Sequence, residues 1–117
     1  MASFKDLIVW QKAIQLCSEI YRLTASFPRS EQFGLTNQMR RASVSVASNI
    51  AEGNGKSTKG EYLLFLGHAR GSNCELQTQL IIASNLGFCD KQKLEAANNL
   101  SAEISRMLNS LMSKLKG

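Results

Sequence analysis

The chain has 117 residues, 44% of them hydrophobic, so it can bury the core of a single domain without disulfides or a metal. Its net charge of +5 and pI of about 9.4 favour an acidic partner such as nucleic acid, although a basic surface also serves solubility alone. No stretch approaches the roughly 18 consecutive apolar residues of a membrane-spanning helix, so no membrane partner is expected.

Cysteine usage points to a reducing compartment. Cys17, Cys74 and Cys89 lie far apart and form no Cys-x-x-Cys pair, so neither zinc-binding nor redox spacing is present. Free thiols fit a reducing compartment, and no apolar run follows the N-terminus as it does in a secretion signal. We therefore expect a cytoplasmic protein without a bound metal or cofactor.

The first predicted helix covers about residues 5–26. Ser3 and Asp6 form a variant of the capping box that would open it. Pro28 ends it, because proline disfavours helical geometry in the residue before it. Apolar residues recur at three- and four-residue steps, as in a helix that buries one face. They are Leu7, Trp10, Ile14, Cys17, Tyr21 and Thr24.

The second predicted helix covers about residues 33–53 and is rich in alanine and serine, so neighbouring helices can approach it closely. Two apolar stripes indicate contacts on two of its sides. The first contains Leu35, Met39, Ala42, Val46, Ile50 and Gly53, and the second contains Val44, Ala47 and Ala51.

Two longer helices follow. The third covers about 58–86, opens with a capping box at Thr58 and ends at Gly87. The fourth covers about 90–115, with Asp90 as its N-cap. No segment alternates apolar and polar residues as a half-buried strand does, and the connections are short. We predict an all-α, up-down-up-down antiparallel four-helix bundle that forms one domain over residues 1–117.

The turn near Lys56 predicts a register for the second and third helices. If the turn is centred there, residues whose numbers sum to about 113 lie side by side. Gly67 and Gly71 would then face Val46 and Ala42. A mid-helix glycine costs up to about 1 kcal/mol relative to alanine, so both glycines need a reason. Close packing is the structural reason, and room for a ligand or a partner backbone is the functional one.

No catalytic site is visible in the sequence. His68 is the only histidine, so a single chain cannot form a histidine-bearing triad or a two-histidine metal site. The segment Gly55–Thr58 resembles the end of a phosphate-binding loop. However, Ile50 stands where that motif needs glycine, and a helix precedes the segment instead of a strand. We expect no enzymatic activity.

A set of basic residues on the second and third helices is the best binding candidate. Arginine on a rigid helix can hold phosphate by bidentate contacts, and three of these arginines should fall on one helix pair. The set contains Arg40, Arg41, Lys56, Lys59 and Arg70.

Ion pairing is the alternative for the same residues. Glu75 is the expected partner of Arg40 or Arg41. Glu52 lies near a helix C-terminus, where negative charge is disfavoured, so a lysine of the following turn or of a neighbouring subunit would compensate it.

The chain resembles a known family in several blocks. Residues 4–13 read Phe-Lys-Asp-Leu-Ile-Val-Trp-Gln-Lys-Ala, and Gln38–Ala42, Ser48–Gly53 and Ala69–Ser72 add further matches. Together they resemble the four-helix-bundle family first associated with intervening sequences of bacterial 23S ribosomal RNA genes. Cys74 departs from the small or polar residue expected there.

The resemblance implies a ring-like homopentamer and kinship with accessory proteins of diversity-generating retroelements, which bind a reverse transcriptase and nucleic acid. It implies no catalytic residues. The expected function is a non-enzymatic, homo-oligomeric bundle that contacts RNA or a nucleoprotein through its basic surface. The alternative is a scaffold or accessory subunit that binds only protein, which Trp10 and the second stripe of the second helix favour.

Overall fold

A computed structural model describes residues 3–117, and Met1 and Ala2 of the predicted domain lie outside the described residues. Short 3-10 turns at Phe4–Asp6 and Arg29–Glu31 accompany four α-helices, and this part of the chain contains no strand. The all-α prediction is confirmed. The helices are α1 (Ile8–Thr24), α2 (Leu35–Asn54), α3 (Lys59–Asn85) and α4 (Lys91–Lys116).

The four helices form a bundle in which α1 and α3 lie diagonally opposite each other. Both α1 and α3 pack against α2 and α4, and they do not contact each other. Side-chain contacts between neighbours join early residues of one helix to late residues of the next, which indicates an up-down-up-down arrangement. Examples are Thr24–Arg40 and Cys17–Ser43 for α1 and α2, Ser45–Ser72 for α2 and α3, and Asn73–Ser101 and Arg70–Asn109 for α3 and α4.

The first predicted helix is divided into two pieces. Leu7 is extended, with φ −73° and ψ 123°, and separates the Phe4–Asp6 turn from α1. The Ser3 hydroxyl accepts from the Lys5 amide at 3.2 Å, so it caps the short turn and not α1. The helix therefore begins three residues later than the predicted start at residue 5.

The predicted caps of the later helices are confirmed. Thr58 Oγ1 accepts from the Glu61 amide at 3.1 Å, and Asp90 Oδ1 accepts from the amides of Gln92 and Lys93. Each cap satisfies amides that the first helical turn leaves without partners. Gly87, with φ +71°, ends the segment after α3 in a left-handed conformation that glycine adopts without strain.

An aliphatic core runs through the centre of the bundle. Burying one such side chain contributes about 1.5–3 kcal/mol, so the aliphatic stripes dominate the stability of the fold. The largest fully buried apolar side chains are Leu16, Ile20, Leu23, Met39, Val46, Ile50, Leu66, Leu76, Leu80, Ile104 and Leu108.

Asn73, the largest of the fully buried polar residues, interrupts this core. The Asn73 Nδ2 donates to the Ser101 carbonyl at 2.9 Å, and its Oδ1 accepts from the Ser101 hydroxyl at 2.8 Å. A third bond, from Nδ2 to the Ser105 hydroxyl at 3.3 Å, completes the set. Together the three bonds satisfy the buried amide and hold α3 and α4 at one register.

The predicted register of α2 and α3 is wrong by about one helical turn. Ser45 contacts Ser72 at 2.9 Å between hydroxyl oxygens, so facing residues sum to 117 and not to about 113. Side chains of a helix lean toward its N-terminus. A side chain therefore contacts the other helix at the level of the backbone about one residue before its own. In an antiparallel pair this adds about two to the sum of the contacting residue numbers, which is about half of the difference between 113 and 117.

The close approach between α2 and α3 occurs at Gly53. A Cβ atom built on Gly53 would lie 2.9 Å from the Phe65 Cβ and 3.3 Å from the Tyr62 carbonyl oxygen. By contrast, nothing lies within 4 Å of a Cβ built on Gly67 or Gly71. The prediction that these two glycines pack closely against α2 is therefore wrong, because their positions face away from the core.

None of the helices in residues 3–117 combines the length and the apolar character that crossing a membrane requires.

Candidate nucleic-acid interface

The five predicted basic residues do not form one continuous surface. Arg40, Arg41 and Arg70 lie on the predicted helix pair, α2 and α3, but Arg40 faces α1 and Arg70 faces α4, so the pair does not present them on one face. The physical reason is the helical turn of 3.6 residues, which puts Arg40 on the side of α2 that faces α1 and Arg70 on the side of α3 that faces α4. Assignment of the five residues to nucleic acid stays a prediction.

Arg40 binds the C-terminal end of α1. Its Nε donates to the Thr24 hydroxyl at 2.9 Å, and its Nη2 donates to the Tyr21 carbonyl oxygen at 3.3 Å. The guanidinium also stacks over the Tyr21 ring, 4.6 Å from the centroid. A cation here complements the negative end of the α1 dipole, so much of the role of Arg40 is structural.

Arg41, one residue later, lies exposed in a polar groove between α2 and α3. Its side chain lines a cavity of about 410 Å³ together with Gln38, Ser45, Ser72 and Glu75. No hydrogen bond or ion pair within residues 3–117 involves its guanidinium. This arginine is therefore available to a ligand, although Glu75 makes the groove mixed in charge.

Lys56 and Lys59 lie exposed at the end of the bundle where α2 turns into α3. The Lys56 Nζ stands 4.9 Å from the centroid of the Phe65 ring, a cation–π contact that holds the ammonium against α3. Between Arg41 and the end of α2 the helix rises about 20 Å, so an extended polyanion could contact both Arg41 and these lysines.

Arg70 belongs to a different groove. Its Nη1 donates to the Asn109 side-chain oxygen at 3.1 Å, which directs the guanidinium toward α4. It therefore does not contribute to the same surface as Arg41.

Neither predicted ion-pair carboxylate has a cation within 4.0 Å in the part of the chain that the structure describes. The two ion pairs found there join Lys12 to Glu103 at 2.9 Å and Arg22 to Glu19 at 3.3 Å. Glu75 instead accepts from Gln79 Nε2 at 3.2 Å, and Glu52 is exposed to solvent. The predicted pair of Glu75 with Arg40 or Arg41 is therefore not formed among these residues, and the Arg40 guanidinium is directed to α1.

The described residues contain no group of three or more histidine, cysteine or acidic residues that could hold a metal ion. The His68 ring packs edge-on against Phe65 at 5.7 Å between centroids. Burial raises the pKa of the Cys89 thiol, which lowers its thiolate fraction and is the opposite of what an activated nucleophile requires.

Sequence reasoning missed the residues that hold Arg40. Tyr21 and Thr24 belong to the predicted apolar stripe of the first helix, but they hold the guanidinium at the end of α1. Their three-residue spacing, in the last turn before Pro28, was the available signal, because a cation is favourable at that helix end.

Comparison with known proteins identifies a family and a similar fold. The sequence profile of one family, described as the 23S rRNA-intervening sequence protein family, matches residues 5–110. The fold is similar to that of a crystallised protein of unknown function from the S23 ribosomal protein family of Bacteroides thetaiotaomicron VPI-5482. The TM-score is 0.81 at 21% identity, over 90% of this chain and 98% of that one, which supports a common fold. No curated protein matches the chain.

Proposed function

The chain belongs to the family of 23S rRNA-intervening sequence proteins, and from that premise we propose that it is a non-enzymatic, homo-oligomeric bundle that binds RNA or a nucleoprotein. The expected assembly is a ring-like homopentamer, as the resemblance to the family implies. We also propose a cytoplasmic location, since Cys17, Cys74 and Cys89 are all free thiols.

The observation that carries the proposal of self-association is an uncharged stripe along the solvent side of α3. We call it the outer stripe of α3, and its residues recur at three- and four-residue steps. Isoleucine and leucine side chains stand exposed on it, with Leu64 56% exposed and Ile81 60% exposed. The stripe consists of Leu64, Gly67, Gly71, Cys74, Thr78, Ile81 and Asn85.

The two glycines of this stripe support its contact with a second backbone. Each mid-helix glycine costs up to about 1 kcal/mol relative to alanine, and no atom of the described chain lies within 4 Å of where a Cβ would stand. Packing within the subunit therefore does not explain Gly67 and Gly71. A neighbouring helix could approach closely there because no side chain intervenes.

A second apolar patch lies on another side of the bundle. Ile14, Tyr21 and Val44 are each 41–44% exposed along the α1–α2 groove, and α1 is diagonal to α3. Two different patches on different sides suit a head-to-tail interface, which closes into a ring, better than a two-fold interface that would cover a single patch. The proposed ring would bury both patches in every subunit.

Light scattering tests the proposed assembly. Replacing both Leu64 and Ile81 by Glu should convert the oligomer to monomer, because charges placed in an apolar interface lose their hydration. Phe33→Glu is the matched control: Phe33 is 88% exposed but lies at the end of the bundle, outside both patches. Retention of the assembly in the double variant would contradict the α3 interface, and a monomeric parent protein would contradict the ring.

The RNA part of the proposal rests on three exposed cations, Arg41 in the α2–α3 groove and Lys56 and Lys59 at the turn that joins these helices. Each phosphate contact on a single strand contributes about 0.7 to the slope of log affinity against log salt. Their combined replacement by alanine should therefore reduce the slope for single-stranded RNA by about 2, measured by fluorescence anisotropy between about 50 and 200 mM salt. Arg106→Ala, on α4, is the control.

Glu75 in the same groove favours the second candidate, a scaffold or accessory subunit that binds only protein. A carboxylate beside Arg41 lowers the positive potential that a polyanion needs. Purification of the native protein separates the two candidates: co-purified RNA supports the first, and a co-purified polypeptide with no nucleic acid supports the second.

A further inference from the structure

The corner where α1 ends and α2 begins contains a second cationic site that differs from the α2–α3 groove. A cavity of about 210 Å³ opens there between the last turn of α1 and the first turn of α2. Two arginines and three uncharged polar residues line it, and none of its lining residues is acidic. The polar lining residues are Thr24, Arg29, Gln32, Thr36 and Arg40.

Arg40 is held in place at this cavity with hydrogen-bonding capacity to spare. A guanidinium has five N–H donors, and two of them are used by Thr24 and the Tyr21 carbonyl. Stacking on the Tyr21 ring further restricts its orientation. The remaining donors are therefore pre-positioned, which lowers the entropy lost when a ligand binds.

Arg29 supplies the second positive charge. It follows Pro28 in the short turn between the helices, and its exposed guanidinium makes no hydrogen bond or ion pair with residues 3–117. The nearest acidic residue along the chain, Glu31, does not line the cavity. Its Oε1 accepts from the Leu35 amide at 3.1 Å and caps α2 instead.

Thr36 provides an observation that points to a ligand. It is only 8% exposed, yet its hydroxyl has no hydrogen-bond partner among the residues that the structure describes. The hydroxyl oxygen itself is not shut off from solvent, and because Thr36 lines the cavity, a ligand that enters the cavity can reach it. Thr36 also lies in the first turn of α2, at the positive end of that helix dipole, where an anion is favoured and which the Glu31 carboxylate already caps.

We propose that this corner is an anion site that binds one phosphate group. Arg29 and Arg40 neutralise its charge, and Thr36 and Gln32 donate hydrogen bonds to its oxygens. The cavity is smaller than the roughly 300–1,000 Å³ of pockets that enclose whole small molecules, so the phosphate and not an attached group is recognised. The phosphate belongs either to a free phosphate compound or to an RNA backbone. The site does not depend on RNA binding in the α2–α3 groove.

Calorimetric titration with inorganic phosphate, against chloride at the same ionic strength, tests the site. Thr36→Val keeps the side-chain shape and removes only the hydroxyl, so it should fold normally and weaken phosphate binding about tenfold. Arg29→Gln should weaken it at least as much, because a charge-assisted contact is lost. Arg106→Gln on α4 removes the same charge far from the cavity and should leave binding unchanged.

Three results would overturn the proposal: equal heats for phosphate and chloride, unchanged phosphate binding in Thr36→Val, or equal losses of phosphate binding in Arg29→Gln and Arg106→Gln.

A second experiment uses single-stranded RNA to identify the source of the phosphate. Weaker RNA binding by Thr36→Val assigns the site to the RNA backbone. Unchanged RNA binding, with phosphate binding lost, assigns it to a free phosphate compound. Phosphate binding without RNA binding supports the site and contradicts the proposed function.

Discussion

Gly53 of α2 lies so close to Phe65 of α3 that a Cβ on the glycine would stand 2.9 Å from the Cβ of the phenylalanine. The Tyr62 carbonyl oxygen, at 3.3 Å from the same point, closes the space from the other side. Both neighbouring atoms belong to the backbone or to the root of a side chain, so neither can move away cheaply. This close contact of the two helices therefore depends on the absence of one methyl group.

Gly53→Ala should lower the free energy of unfolding by about 1–3 kcal/mol, because overpacking outweighs the better helix propensity of alanine. Urea denaturation measures the change. Gly67→Ala is the matched control and should raise stability by up to about 1 kcal/mol in the monomer, since its Cβ meets no other atom. Stabilisation by Gly53→Ala would show that α2 and α3 separate easily.

Asn73→Ala should be more destabilising, by about 2–4 kcal/mol. The substitution leaves a cavity and removes the buried partner of both the Ser101 hydroxyl and the Ser101 carbonyl. In a double-mutant cycle, Ser101→Ala should cost much less in the Asn73→Ala background than in the parent protein. Asn98→Ala, exposed on α4, is the control. Additive effects of Asn73 and Ser101 would contradict the coupling.

The two adjacent arginines of α2 should behave differently in denaturation. Arg40→Ala loses two hydrogen bonds and a stacked ring, so it should lower the unfolding free energy by about 1–3 kcal/mol. Arg41→Ala should change it by less than about 0.5 kcal/mol, because its guanidinium is exposed. Equal losses of stability in the two variants would argue against the contact of Arg40 with α1.

Cys89 should alkylate more slowly in the folded protein than in the unfolded chain at the same pH. Burial raises the pKa of its thiol above the ordinary 9.0, so the folded protein holds that proton to higher pH. The stability linked to the thiol is therefore fully present below pH 9.0 and is lost as the pH rises through the raised pKa. Iodoacetamide pulses across this range, followed by mass spectrometry, measure the rate. An equal rate in urea would contradict the effect of burial.

Local patterns in the sequence determined the helices of this protein. Apolar spacing and the caps at Thr58 and Asp90 depend on residues a few positions apart, so they predict helices without knowledge of the neighbours. Leu7 is the exception at this level. Its extended backbone separates the 3-10 turn from α1, although the apolar spacing continues through it.

The tertiary structure alone decided the register of α2 and α3 and the neighbours of Arg40 and Arg70. A helix pattern states which residues share a face, but not how far two helices slide past each other or which helix lies on each side, so it could not show that Arg40 contacts α1 and Arg70 contacts α4. The packing also puts Gly53, and not Gly67 or Gly71, at the close contact. The composition predicted a basic surface. Which of its charged side chains bind other residues, and which remain free for a ligand, depends on side-chain contacts that only the packed bundle creates.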